Sequence, residues 1–431
     1  MYIKEMAASL YPWDLHDEGV ETCVDNLVEH TNVNSVYLVG IMHKEKRPLR
    51  GLYYPHNPKR KFYLPEDSRV YYRMDEANFK NTPLKPIYSS VDWLKDTDWL
   101  DQLITTARQR GLKVGCEISH TIYDAKRALS EFPQLLQRNV KGAPISAGKL
   151  LCPNHEHVQE YIVALFYDTV KNHDIDFIQS CLILFHQGGR LKTENHGISD
   201  EKELDILLAV LEGGCFCSSC RTKAIEMGYD WDRIASDLNR LYDVAKQAEL
   251  ADILEKKLLD DGNLTGTGFL MENPSLYQWL EFREKSITAL FKRIYEGIKR
   301  ANPRTEFRYN TYLKYTEMAG LSFSAIKDYV DSIRESDYAE QRGEMRHLQG
   351  KLQKLHKIRR GIGYDKDLIA AVDVRPNDYG GSNEDILRAS VKMLGSLGID
   401  GISLGHYDDA TFSRLKAVRD GMADGEIFLL K

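Results

Sequence analysis

The chain is organised around a stretch that begins with Leu151-Cys152-Pro153-Asn154 and ends with Gly213-Gly214-Cys215-Phe216-Cys217-Ser218-Ser219-Cys220. An amphipathic helix and an apolar strand are predicted between these two ends. The C-x-C-x-x-C spacing lets three cysteines wrap one face of a tetrahedral Zn²⁺ from one loop, and a closed structural site then needs a fourth ligand. We therefore predict a zinc-clipped loop on the catalytic side of a barrel. Free buried thiols, or a disulfide within one C-x-x-C, are the alternatives that the spacing leaves open.

The bulk composition is that of a soluble globular protein with a sizeable core. The 431 residues are 42% hydrophobic and 28% charged. A net charge of −6 gives no reason to expect a nucleic acid or an anionic membrane as a partner. The sequence predicts neither a signal peptide nor a membrane-spanning helix. Seven unevenly spaced cysteines favour a reducing compartment over a disulfide framework, so we expect a cytoplasmic location.

Short apolar strands alternate with amphipathic helices along the chain. This alternation predicts an α/β fold, a single (β/α)8 TIM barrel over residues 1–431, with the active site at the carboxyl ends of the strands. We predict a long zinc-clipped insertion at 186–271, after strand 4. A doubly wound sheet is the rival, but no glycine-rich dinucleotide turn follows the first strand. The predicted strands are 2–10, 35–42, 113–119, 177–185, 306–312, 331–337, 368–375 and 401–407.

The residues around the cysteines carry a family resemblance. Cys152-Pro153-Asn154, the helix with Tyr161, the next strand and the C-x-C-x-x-C cluster resemble the family 42 β-galactosidases and related barrel glycosidases. In that family the Cys of a Cys-Pro-Asn segment joins the later cysteines on one structural zinc. The resemblance implies a structural Zn²⁺ bound by Cys152, Cys215, Cys217 and Cys220, whereas the residues alone leave Cys181 as an equal candidate for the fourth ligand. Motifs similar to those of barrel glycosyl hydrolases are Tyr11-Pro12-Trp13-Asp14, Tyr54-Pro55-His56-Asn57-Pro58 and Phe282-Arg283.

The chain departs from the family at the end of strand 4. Retaining barrel glycosidases place an Asn-Glu pair there, with Glu as the acid/base, whereas this chain has His186-Gln187. An amide cannot donate and reclaim a proton as a carboxylic acid does. The acid therefore lies elsewhere, the alignment is shifted, or the protein is not a retaining glycosidase.

Strand-end carboxyl groups are the candidates for catalysis, because glycoside hydrolysis needs two of them across the sugar. The predicted catalytic residues are Glu117 in an apolar strand, Glu335 on strand 6, and Asp373 near the end of strand 7. The resemblance implies that Asp373 occupies the nucleophile position. Structural ion pairs of Glu335 with Arg334, and of Asp373 with Arg375, are the alternative.

Polar and aromatic residues at the strand ends are predicted to bind sugar hydroxyls and to stack on a pyranose face. Packing at the barrel end is the alternative for a single aromatic ring. A second metal centre of His43, Glu117, His120 and His406 is also open, although it lacks a motif spacing. The predicted substrate-binding residues are Trp13, Asp14, His43, His120, Gln187, Asn310, Tyr338 and His406.

These observations predict a carbohydrate-active barrel enzyme, a glycoside hydrolase with strand-end carboxylates as acid/base and nucleophile. Its expected substrate is a small molecule or an oligosaccharide. A sugar isomerase, epimerase or lyase is one alternative, and a non-catalytic carbohydrate-binding barrel, favoured by Gln187 in the acid position, is another. The sequence leaves a homo-oligomer open.

Overall fold

A closed barrel of eight parallel strands forms the centre of the protein. The computed structural model describes residues 1–42, 54–118, 123–145, 151–181, 184–186, 202–260, 266–311, 315–376 and 383–430. The strands in chain order are β1 (Tyr2–Ile3), β2 (Glu5–Leu10), β3 (Ser35–Met42), β4 (Arg69–Val70), β5 (Lys113–Ile118), β6 (Phe177–Ser180), β7 (Glu306–Thr311), β8 (Ser332–Glu335), β9 (Asp367–Asp373), β10 (Gly401–Gly405) and β11 (Phe428–Leu429).

The barrel is formed by β2, β3 and β5 to β10, each paired in parallel with the next. It closes because β2 pairs with both β10 and β3. Strand β4 joins β3 antiparallel, and β1 pairs with β11 outside the barrel. The predicted (β/α)8 fold is therefore confirmed. Strands β6 and β8 are shorter than predicted, since they end at Ser180 and Glu335.

Helices cover the outside of the barrel, which explains why strands such as β3 are buried over their full length. In chain order the helices are α1 (Pro12–Asp17), α2 (Val20–Thr31), α3 (Trp99–Gln109), α4 (Ala125–Glu131), α5 (Glu156–Asn172), α6 (Glu203–Glu212), α7 (Ser218–Glu226), α8 (Trp231–Leu250), α9 (Asp252–Asp260), α10 (Thr267–Glu272), α11 (Pro274–Ala301), α12 (Phe323–Ile326), α13 (Met345–Ile362), α14 (Glu384–Leu394) and α15 (Phe412–Asp424). Within the described ranges, no helix has both the length and the apolar character needed to cross a membrane.

The interior of the barrel is packed with polar side chains below its mouth. Arg308 on β7 reaches across the barrel to Glu5 on β2, with its Nη2 2.7 Å from Oε2 of Glu5. One layer higher, the hydroxyl of Tyr37 on β3 lies 3.2 Å from that of Ser403 on β10. Side chains thus fill the lower barrel, so a substrate has room only at the carboxyl ends of the strands.

Helices α6 to α10 lie in the chain between β6 and α11, where the insertion is predicted. Helix α8 packs against both α6 and α11, and α11 packs against α5. The long helix α11 therefore connects this helical segment to the outer layer of the barrel.

Candidate functional site

Two of the predicted catalytic residues, Glu117 and Asp373, lie on opposite sides of the barrel. Glu117 is near the end of β5 and Asp373 is the last residue of β9. In the closed strand order, β5 and β9 are separated by three strands in either direction. Glu117 is two residues on from Gly115, the register partner of Tyr37, and Asp373 is two residues on from Ala371, the register partner of Ser403. The hydroxyl groups of Tyr37 and Ser403 meet inside the barrel, so Glu117 and Asp373 also face the interior. The two carboxyl groups therefore lie on the inner face of strands on opposite sides of the barrel.

Glu117 is partly accessible at the mouth, yet it is closely surrounded by protein atoms. Its Oε2 accepts a hydrogen bond of 2.5 Å from Nε2 of Gln179 on the neighbouring strand β6. Burial raises the pKa of Glu117, and the positive charge of Arg334 and the Gln179 hydrogen bond offset only part of this rise. Burial thus favours the protonated form of Glu117.

Asp373 is fully buried, and its carboxylate is held by one guanidinium group and one side-chain amide. Nη2 of Arg375 lies 2.7 Å from Oδ2 of Asp373, and Nε2 of Gln341 donates to the same oxygen at 2.7 Å. The guanidinium of Arg375 in turn lies 5.7 Å from the ring of Tyr338. The ion pair with Arg375 that the sequence left open is therefore present.

The short 3₁₀ helix Ala339–Arg342 supports the end of β9 from both sides. Gln341 contacts the Asp373 side chain, while Oε2 of Glu340 accepts the backbone N–H of Asp373 at 3.3 Å. Glu340 is also paired with Lys351 of α13, whose Nζ lies 2.5 Å from Oε1, and both side chains are almost fully buried. Gln341 and Glu340 carry no motif that a sequence search would find.

Arg334 fills the centre of the barrel beneath the two carboxyl groups. Its Nε donates to Ser403 at 2.9 Å, and its Nη1 donates to the amide oxygen of Asn310 at 3.0 Å. Its charge acts on Glu117, as the pKa of that group shows. Arg334 therefore pairs electrostatically with Glu117 and not with its neighbour Glu335.

The third predicted catalytic residue, Glu335, is separated from the other two. It is buried on the outer face of β8, where its Oε1 lies 3.0 Å from Nζ of Lys354 on α13. Because successive residues of a strand face opposite sides, Arg334 points inward and Glu335 points outward. The structure thus places Glu335 in an ion pair with Lys354, and a catalytic role for Glu335 stays a prediction.

Trp13 follows β2 and is buried within an aromatic cluster. Its ring stacks on Tyr11 with a centroid distance of 4.5 Å, and Tyr63 packs on it at 5.0 Å. Only 2% of Trp13 is exposed, so neither face of the ring is open to a sugar. The structure favours barrel-end packing, the alternative to sugar stacking, for this residue.

Asp14 and His406 lie close to this cluster. Oδ2 of Asp14 accepts the backbone N–H of Tyr11 at 2.8 Å, which closes the first turn of α1. Burial, and then the charge of Asp408, raise the pKa of Asp14 well above its usual value. Nδ1 of His406 lies 2.9 Å from the Tyr11 hydroxyl, and its ring lies 5.7 Å from that of Tyr338. His406 and Tyr338 thus line one side of the mouth, next to Asn310 and Arg334.

Three predicted substrate-binding residues, His43, His120 and Gln187, lie outside the described residues. His43 and His120 are also members of the predicted His–carboxylate metal centre. Among the described residues, the groups close enough to share one ion include neither Glu117 nor His406.

The four predicted zinc ligands come together at one point. The ligand atoms of Cys152, Cys215, Cys217 and Cys220 all lie within 4.8 Å of one another, and all four residues are buried. Sγ of Cys152 is 3.5 Å from Sγ of both Cys217 and Cys220. A tetrahedral ion with bonds of about 2.3 Å to sulfur requires sulfur atoms ~3.8 Å apart. The thiols are therefore spaced for one tetrahedral metal ion, and Cys181 is not part of the group.

Two N–H donors and one helix N-terminus lie at the sulfur atoms of the cluster. The backbone N–H of Arg138 donates to Sγ of Cys215 at 3.4 Å, and Nδ2 of Asn154 donates to Sγ of Cys220 at 3.5 Å. Cys217 is the N-cap of α7, where the positive end of the helix dipole favours a thiolate. The Asn of the Cys-Pro-Asn motif thus supports the ligands instead of binding the ion.

Comparison with known proteins gives the fold and no family. No protein-family model and no curated protein matches the sequence. Among solved structures, the PgaB (BpsB) glycoside hydrolase domain from Bordetella bronchiseptica matches over 100% of both chains, with a TM-score of 0.58 and 13% identity. At this identity the match shows a shared fold.

Two larger enzymes share the same fold. The α-L-fucosidase isoenzyme 2 from Paenibacillus thiaminolyticus has a TM-score of 0.55 and 13% identity, over 98% of this chain and 49% of the fucosidase. A catalytic mutant of Gan42B, a GH42 β-galactosidase from G. stearothermophilus, has a TM-score of 0.52 and 12% identity, over 98% of this chain and 56% of Gan42B. The chain therefore spans about half the length of these two enzymes.

Proposed function

We propose that the protein is a carbohydrate-active barrel enzyme, a glycoside hydrolase in which Glu117 and Asp373 act on the sugar between them. The observation that supports this proposal is the position of the two residues near the carboxyl ends of β5 and β9, which lie on opposite sides of the barrel. The structural neighbours, which are named as a glycoside hydrolase domain, a fucosidase and a β-galactosidase, support the same class of substrate.

The environments of the two carboxyl groups support different roles. Burial favours the protonated form of Glu117, which suits a general acid that protonates the leaving oxygen. Asp373 is paired with Arg375 and accepts from Gln341, which suits a carboxylate acting as base or nucleophile. The distance between the carboxyl groups in a substrate complex would then set inversion or retention of configuration.

Sugar hydroxyls would be bound by the polar residues of the same mouth. Asn310 contacts Arg334, Tyr338 lies beside Arg375, and the ring of His406 packs against that of Tyr338. We propose Asn310, Tyr338 and His406 as substrate-binding residues, with His43, His120 and Gln187 as further members on the sequence evidence.

The direct test uses purified protein and a panel of aryl glycosides and oligosaccharides. Glu117→Gln and Asp373→Asn should each lower turnover by about 10²–10⁴-fold, the usual contribution of a general acid or base. Glu335→Gln is the matched control, because it makes the same chemical change at a strand end on the outer face of β8. Full turnover in the Glu117 and Asp373 variants, with folding confirmed by circular dichroism, would refute the assignment.

A carbohydrate-binding barrel without turnover is the second candidate. One observation favours it: the described residues at the end of β6, 177–181 and 184–186, include no carboxyl group where retaining barrel glycosidases keep their acid/base. Calorimetric binding of a sugar by the wild-type protein, with no product detected for any glycoside of the panel, would select this function.

We also propose that Cys152, Cys215, Cys217 and Cys220 hold a structural Zn²⁺. A set of four thiolates suits Zn²⁺ and leaves no open position for a substrate, so the ion would fix the loop between α6 and α7 and take no part in the reaction. Elemental analysis should find one zinc per chain, and Cys217→Ser should lower this content. Thiolate ligands also suit a reducing compartment, which supports the proposed cytoplasmic location.

A further inference from the structure

A guanidinium group is buried beside the cysteine cluster. Arg283 of α11 is fully buried, and its Nη2 donates to the backbone oxygen of His186 at 3.2 Å. Its guanidinium lies 5.6 Å from the ring of Trp279 and 6.0 Å from that of Phe185. Among the residues that the structure describes, no carboxylate pairs with Arg283, and its Nε has no hydrogen-bond partner.

A buried cation without a counter-ion is costly, because the low-dielectric interior replaces the water that would solvate it. Arg283 is linked to the cysteine loop through His186, whose backbone oxygen accepts from Arg283 and from the N–H of Gly214, the residue before Cys215. Four thiolates around one Zn²⁺ carry a net charge of about −2, which also needs compensation inside the protein. The ring of Trp279, 5.6 Å from the guanidinium, also stacks at 4.2 Å on Phe216, which lies between Cys215 and Cys217, so the buried cation lies near the cysteine loop.

We propose that Arg283 is the counter-ion of the metal–thiolate cluster and couples it to the segment after β6. The inference rests on the zinc site of the proposed function. The coupling follows from His186, whose backbone oxygen accepts from both Arg283 and the N–H of Gly214 at 2.7 Å. Its backbone N–H donates to Oε1 of Gln137 at 2.9 Å, so His186 is held on both sides. Arg283 is a positioning residue in this proposal.

The test measures zinc affinity by competition with a chromophoric chelator, which needs no enzyme activity. Arg283→Met should weaken zinc binding by about tenfold or more, as is usual when a group that supports metal ligands is removed. Arg283→Lys, which keeps the charge, should stay closer to wild type. Arg293→Met is the matched control, since Arg293 lies on the same helix ~15 Å away and pairs with Glu160 at the surface.

A second readout is the fall in melting temperature when zinc is removed by excess chelator. We expect a smaller fall in melting temperature for Arg283→Met than for Arg293→Met. The reason is that zinc bound more weakly, at a site without its counter-ion, contributes less stability. Arg283→Gln replaces the Met variant if that variant does not fold. Wild-type protein without zinc would refute the metal site itself. Zinc bound equally by wild type, Arg283→Met and Arg293→Met would refute only the role of Arg283.

Discussion

Gly214→Ala is predicted to destabilise the cysteine loop through one contact. Gly214 precedes Cys215 and has a φ of +69°, and a methyl group on its Cα would lie 2.4 Å from Cζ2 of Trp279. Gly228, at the end of α7, has a similar φ of +82° but has nothing within 4 Å of such a group. Gly228→Ala is therefore the matched control, because both changes strain the backbone but only one creates a clash.

Backbone strain and the steric clash together set the expected loss in the free energy of unfolding. The left-handed conformation costs an alanine about 1–2 kcal/mol, and this cost is common to both variants. The clash with Trp279 adds about 1–3 kcal/mol, the usual cost of an extra methylene in a packed core. Urea unfolding in saturating zinc should thus give a free energy of unfolding about 1–3 kcal/mol lower for Gly214→Ala than for Gly228→Ala.

Two results bear on the explanation. In a Trp279→Leu background, the extra cost of Gly214→Ala should shrink, because the atom that it meets is gone. Equal free energies of unfolding for Gly214→Ala and Gly228→Ala would refute the reasoning, since backbone strain alone would then account for both.

Three further predictions concern buried charges. Lys351→Met leaves Glu340 buried without its cation and should lower the free energy of unfolding by about 3–5 kcal/mol in urea titrations; an unchanged midpoint would contradict this. Burial lowers the pKa of His173, but the hydrogen bond and charge of Asp98 raise it more, so the net shift is upward. The free energy of unfolding should therefore fall as the pH rises through the raised pKa of His173. His173→Gln should remove this part of the pH dependence. Gln179→Leu removes a hydrogen bond that lowers the pKa of Glu117, so that pKa should rise further. The alkaline limb of the activity–pH profile should then move to higher pH. A shift to lower pH would exclude Glu117 as the acid.

The barrel and the cysteine group were both accessible from the sequence. The barrel strands are short runs of apolar residues separated by helices. This pattern depends only on residues that are near neighbours in the chain, so it can be recognised without knowing the tertiary contacts. Strand ends were less well predicted: the structure ends β6 at Ser180, while the apolar run continues to Phe185. Apolar residues beyond a strand can be buried in a loop, so composition alone does not mark the end.

The sequence predicted only part of the candidate site and its surroundings, as four residues illustrate. Asp373 and Glu117 were selected because they end apolar strands, and both face the mouth. Gln341 contacts Asp373 across 32 positions of sequence, and no local signal marks it. Arg283 was noticed as part of a motif, while its position beside Cys220 depends on how α11 packs in the folded chain.

The sequence by itself determined the order of strands and helices and the grouping of three cysteines, because these depend on the spacing of residues that are near neighbours in the chain. Only the tertiary structure decided which strand-end charges face the interior of the barrel. Glu335 and Arg334 are adjacent, yet one contacts Lys354 outside the barrel and the other contacts Ser403 inside it. Successive side chains along a strand point to opposite faces, so a register shift of one residue would exchange the inner and the outer side chains. Closure of the barrel sets the register of each strand.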